Sequence, residues 1–71
     1  MRTWLKNQRI RNKFTQNEIS KKLDISQNYY SSIENGERQK DLDLSLVVKL
    51  ADILDVSVNY IIEEEEKLKV R

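Results

Sequence analysis

The chain has no cysteine, no histidine and no proline, and only one glycine, Gly36, in 71 residues. Each absence removes a class of explanation. Without cysteine there is no disulfide staple. Without cysteine or histidine there is no thiolate or imidazole site for zinc, and no nucleophile–base dyad or triad that draws on either residue. One glycine is too few for a sheet protein, whose turns call for glycine at short intervals, so the composition selects an all-α fold. Long apolar runs are also lacking. The longest, Leu46-Val47-Val48 and Tyr60-Ile61-Ile62, fall far short of the roughly 18 residues of a membrane span. The N-terminus has no apolar core of a secretory signal, so the expected compartment is the cytoplasm, with no membrane partner.

What the chain does have is charge. Asp, Glu, Lys and Arg make up 35% of it and nearly cancel, to a net +1. Their distribution is polarised: residues 1–40 hold nine Lys/Arg against four Asp/Glu, a net of +5, and residues 41–71 hold four against eight, a net of −4. Arg2, Lys6, Arg9, Arg11 and Lys13 precede any acid, and Lys21, Lys22, Arg38 and Lys40 come after them. A basic half can face a polyanion. It can equally be an ordinary solvated helix surface, and charge alone does not separate the two.

Hydrophobic spacing divides the chain into five helices. From Thr3 to about Asn12, Leu5 and Arg9 stand one turn apart with Trp4 and Ile10 flanking, a short helical pattern. Thr15-Gln16-Asn17-Glu18 fits a capping box, so a second helix starts at Gln16. It carries Ile19 and Leu23 at i and i+4, and it ends near Lys22 because Asp24 is one of the few non-glycine residues that tolerate a left-handed turn. Ser26 caps a third helix, which begins at Gln27, sets Tyr30 and Ile33 on one face and stops at Asn35-Gly36. Residues 37–43 have no apolar period and read as a loop ending at an Asp43 N-cap. Leu44, Val47, Leu50, Ala51 and Leu54 mark the amphipathic face of a fourth helix closed by Asp55, and Ser57 caps a fifth with Val58, Ile61 and Ile62. Residues 1–62 are therefore expected to be one domain. Residues 63–71, acidic then basic, either extend the fifth helix or fray.

Four strings stand in order on these helices: Thr15-Gln16-x-Glu18-Ile19-Ser20, Leu23-Asp24-Ile25-Ser26, Ile33-Glu34-Asn35-Gly36 and Leu50-Ala51-x-x-Leu54-x-Val56-Ser57. With them, the chain resembles the phage repressor and Cro, or XRE, helix-turn-helix family over about residues 3–62. The resemblance implies a compact five-helix, lambda-repressor-like DNA-binding domain with its helix-turn-helix at about residues 16–35. The chain departs from the family pattern at Lys13 and Asp24, where glycine is usual, at Ser20, where alanine is usual, and in a loop before the fourth helix that lacks proline and is about two residues longer. With lysine at 13, either Asn12 takes the left-handed position or the turn differs. The resemblance also implies a buried structural ion pair between Arg9 and Glu34.

In this motif the third helix lies in the major groove and the second crosses the backbone. That makes Gln27 and Asn28 the base-reading candidates, since both amides can bond adenine N6 and N7 in pairs. Ser32, one turn on, can donate or accept but discriminates poorly. Gln16, matching the family's glutamine at the head of the second helix, is expected to hold a phosphate together with the helix N-terminus. Tyr30 falls on an apolar position and belongs to the core, while Tyr29 projects outward, where its hydroxyl can meet a phosphate. Lys21, Lys22, Arg38 and Lys40 are the other backbone candidates. Trp4 reads as a packing residue against the fifth helix. Glu63 to Glu66 could mimic nucleic acid or bind a basic partner, but four consecutive acids go all round a helix and read as a solvated run.

No catalytic residue is expected: the carboxylates lie on predicted exposed surfaces, with no nucleophile–base set and no glycine-rich phosphate loop. No cofactor or metal is expected either. The family pairs through the fifth helix and the residues C-terminal to it, so a homodimer is expected on a palindromic operator, with Ile62, Leu68 and Val70 as its seam. A regulator of this kind, expected to be a repressor of a phage, plasmid or mobile element, would be switched by its own level, an antirepressor or another partner. The rival class is an antitoxin or immunity module that keeps the fold and binds protein through its acidic half, and an activator role is also open.

Overall fold

The ends of the helices are written in their side chains. The computed structural model of the chain describes residues 1–37 and 42–69, which form α1 (Thr3–Arg11), α2 (Gln16–Leu23), α3 (Gln27–Asn35), α4 (Leu44–Leu54) and α5 (Val58–Lys69). Among these residues there is no strand. Arg38, Lys40 and Val70, three of the expected site residues, lie outside the described residues. At the head of α2 the Thr15 hydroxyl accepts from the Glu18 amide at 3.1 Å, and the Glu18 carboxylate accepts from the Thr15 amide at 2.8 Å. Ser26, Asp43 and Ser57 accept in the same way from Tyr29, Leu46 and Tyr60 at 3.1, 2.8 and 3.0 Å. Such a cap contributes about 1 kcal/mol by satisfying an amide that the helix leaves open. Only α1 starts without a side-chain cap, entering from Arg2.

Four helices end in one way. Lys13, Asp24, Gly36 and Asp55 take left-handed conformations, with φ of 62, 60, 82 and 56°. The next residue's amide then reaches five positions back: Phe14 to Arg9, Ile25 to Ser20, Glu37 to Ser32 and Val56 to Ala51, at 2.9–3.1 Å. This closure satisfies a terminal carbonyl and folds the following side chain over the helix end. Phe14, Ile25 and Val56 accordingly pack against the core. At the end of α1 it is Lys13 that turns left-handed, while Asn12 stays at φ −86°, so the expectation for Asn12 is corrected. Asn12 is occupied otherwise, its side-chain amide donating to the Gln8 and Leu54 carbonyls at 2.8 and 3.2 Å.

The core draws on every helix: Trp4 and Leu5 from α1, Ile19 and Leu23 from α2, Tyr30 and Ile33 from α3, a row from Leu46 to Leu54 on α4, and Ile61 from α5. At about 1.5–3 kcal/mol for each fully buried large apolar side chain, this cluster outweighs any one cap. The α2 helix packs on α3 and α4, α4 on α5, and α1 on α3. Leu44, assigned by its spacing to the apolar face of α4, is 74% exposed. It stands at the edge of that face, about a quarter turn from its middle, while Leu46 and Val47 of the same turn point into the core. Ser20 is buried where a small apolar residue would suffice, and its hydroxyl donates to the Asn17 carbonyl at 2.8 Å, so burial leaves no polar group unsatisfied there. No helix among the described residues is long and apolar enough to cross a membrane.

Candidate nucleic-acid interface

The α2–α3 pair is joined by the left-handed turn at Asp24 and locked by Ile19, Leu23, Tyr30 and Ile33, each at most 1% exposed. With that face of α3 inward, its first turn points Gln27 and Asn28 into solvent. Ser32 comes one turn after Asn28 and is half-buried, as are Gln16 at the first position of α2 and Tyr29. Tyr29 packs partly against the core, so its ring is less free than the sequence suggested. Lys21 and Lys22 are exposed at the end of α2, with the Lys22 ammonium 5.4 Å from the centre of the Phe14 ring. The capping box draws the Glu18 carboxyl below its ordinary pKa, chiefly because the Thr15 amide donates to it.

Two of the early basic residues are withdrawn from any outward role. Arg9 reaches Glu34 through Nε at 3.1 Å and a terminal nitrogen at 3.2 Å, and donates to the Phe14 carbonyl at 2.9 Å. The bond to Glu34 pushes the guanidinium's pKa up, against the opposing effect of burial. Arg2, counted by its sign among groups that could face a polyanion, is 2% exposed. Its Nε lies 3.1 Å from both oxygens of Glu65, and a terminal nitrogen donates to the Ile33 carbonyl at 2.7 Å. Among the described residues, the exposed basic side chains of the N-terminal half are therefore Lys6, Arg11, Lys13, Lys21 and Lys22, of which Lys21 and Lys22 stand on α2 itself.

Trp4 packs edge-on against Tyr60 of α5, ring centres 6.1 Å apart, and its indole N–H donates to Glu65 at 2.7 Å. Glu65 is thus no member of a uniformly solvated run, which corrects that reading of residues 63–66. Four identical acids in a row hide which one faces inward. The usable signal was spacing: Glu65 lies four residues after buried Ile61, on the same side of α5.

Elsewhere, a groove between α4 and α5 is lined by Leu42, Val47, Ile61 and Ile62 and edged by Glu65, Glu66 and Lys69. Ile62 and Leu68, the described members of the expected seam, are 47 and 43% exposed, and Val48 on α4 is 51% exposed. Among the described residues no group of three or more Asp, Glu, His or Cys side chains is placed to hold a metal ion.

Compared with known proteins, residues 5–61 match a family model described as helix-turn-helix. The chain is 44% identical over 45 residues to YqaF, an uncharacterised HTH-type transcriptional regulator of Bacillus subtilis (strain 168), an alignment covering 63% of this chain and 59% of that protein. It is 35% identical over 66 residues to YqaE, another uncharacterised HTH-type transcriptional regulator of the same organism, covering 93% of this chain and 55% of that protein. The chain thus spans a little over half the length of these curated relatives. No solved structure gives a significant match.

Proposed function

Because the chain belongs to the helix-turn-helix family, we propose that it is a DNA-binding transcriptional regulator that reads a duplex operator through the major groove, with α3 as the reading helix. The observation that carries this is the pair of exposed amides, Gln27 and Asn28, on the first turn of a helix whose opposite face is buried. In a helix-turn-helix, residues at the start of the second helix meet base edges, and side-chain amides are the groups that recognise adenine in pairs of bonds. Gln16, Tyr29, Lys21 and Lys22 act on phosphates, which fix register without reading sequence. Arg38 and Lys40 are assigned the same role from the sequence alone.

One α3 reaches only a few base pairs, so the regulator acts as a homodimer on a palindromic operator, in the cytoplasm and on the nucleoid when bound. Ile62 and Leu68 supply its seam, supported by their exposure and by the groove that Ile62 lines. Repression of a phage, plasmid or mobile element by occupying a promoter is the simplest action of such a dimer, relieved by an antirepressor or another partner. Selection of random duplexes by the purified protein tests the whole reading. A two-fold-related motif with half-sites about 34 Å apart is expected. Absence of any preferred sequence would instead point to a protein-binding module of the antitoxin type.

A further inference from the structure

Beyond Ile61, α5 buries none of its described side chains, yet it continues for two turns to Lys69. A helix end with no fully buried apolar residue depends, beyond the helix it continues, on what its polar groups grasp. Here Glu65, its side chain 13% exposed, receives the Arg2 Nε on both oxygens at 3.1 Å and the Trp4 indole at 2.7 Å. The same Arg2 is also fastened to the far end of α3. Its guanidinium donates to the Ile33 carbonyl at 2.7 Å and its backbone amide to the Glu34 carbonyl at 2.8 Å. Those carbonyls lie in the last turn of α3, where a helix leaves acceptors open and favours a cation. One arginine thus ties the end of α3 to the end of α5.

We infer that Arg2 and Glu65 are positioning residues for operator binding: their clamp sets the direction of the last two turns of α5, and so of Ile62 and Leu68, relative to α3. This rests on the reading of α3 as the DNA-reading helix and of α5 as the pairing helix. In a dimer, the angle between those helices decides whether both copies of α3 reach successive half-sites together. The gain from linking two binding events vanishes when geometry forbids simultaneous engagement. Neither Arg2 nor Glu65 needs to touch DNA or the partner copy to act in this way.

The test compares wild type with Glu65→Ala, and with the near-isosteric Glu65→Gln should the alanine variant fail to fold. Hydrogen exchange without DNA should show protection at residues 62–69 falling by about tenfold or more, with α2, α3 and α4 little changed. Titration of selected operator and of isolated half-site duplexes should show full-site affinity falling about tenfold with half-site affinity nearly unchanged, and tolerance of one base pair added between half-sites. Unchanged protection at 62–69 overturns the clamp. Equal losses on full and half sites overturn its positioning role and reduce it to general stability. If wild type prefers no duplex, the functional reading fails and the positioning role with it, while the exchange experiment still decides the clamp.

Discussion

Arg9 and Glu34 meet fork to fork between α1 and α3, at 3.1 and 3.2 Å, with the carboxylate only 2% exposed. Removing either partner strands the other in a site poor in water. Glu34→Ala should therefore lower stability by about 3–5 kcal/mol, whereas Arg9→Met with Glu34→Leu should recover much of the loss, since no charge is then left to desolvate. Thermal or urea unfolding of the two single variants and the double checks this. Small and equal shifts in the singles would mean the pair is well solvated.

Tyr30 places its hydroxyl beside this pair. The residue is fully buried, and among the described residues the hydroxyl has no hydrogen-bond partner of good geometry. Burial first, and then the neighbouring Glu34 charge, push its pKa well above the usual phenol value. The folded state thus keeps this proton at pH values where the unfolded chain has released it. Stability from this group is complete below about pH 10 and declines as pH rises beyond it, by up to about 1.4 kcal/mol per pH unit. Tyr30→Phe should remove that part of the alkaline decline and change stability little at pH 7, because the deleted hydroxyl gains little from its surroundings. Urea unfolding of both proteins from pH 7 to 11 measures the difference. Parallel pH curves would show that the phenol titrates alike in both states.

Gln27 and Asn28 should behave differently from Lys21 and Lys22. Alanine at either amide is expected to cost about 1–3 kcal/mol on the selected operator, relax preference at particular base pairs, and leave scrambled duplex binding unchanged. Alanine at either lysine should weaken all duplexes alike and flatten the salt dependence by about one unit for each phosphate no longer neutralised. Fluorescence anisotropy at several salt concentrations separates the two patterns. If Gln27→Ala weakened both duplexes equally, Gln27 would be a backbone-binding residue.

Ile62→Glu and Leu68→Glu each put a charge on the proposed seam without touching the core. Both variants should keep the wild-type unfolding midpoint yet, at concentrations where wild type sediments as two chains per operator duplex, sediment mainly as one chain per duplex. Undiminished two-to-one complexes would move the seam elsewhere, with exposed Leu44 and Val48 of α4 the next surface to alter.

Much of this protein is determined by sequence alone, because it is determined locally. Thr15, Ser26, Asp43 and Ser57 satisfy amides three residues ahead, and Asp24, Gly36 and Asp55 terminate helices by their own tolerance of positive φ. Those interactions span a few residues, so the five helices and the exposure of Gln27 and Asn28 can be read from spacing. Tertiary structure alone decides which charges are spent inside. Arg2 and Lys6 look alike in the sequence, as do Glu64 and Glu65, yet Arg2 and Glu65 meet across 63 positions while Lys6 stays in solvent. Periodicity carries no sign of such a partner, because burying a charge depends on what the rest of the chain brings to it. Lys13 shows the same limit at close range: the turn after α1 is closed by Phe14 packing on the core, and that packing holds a lysine where its own backbone preference would not.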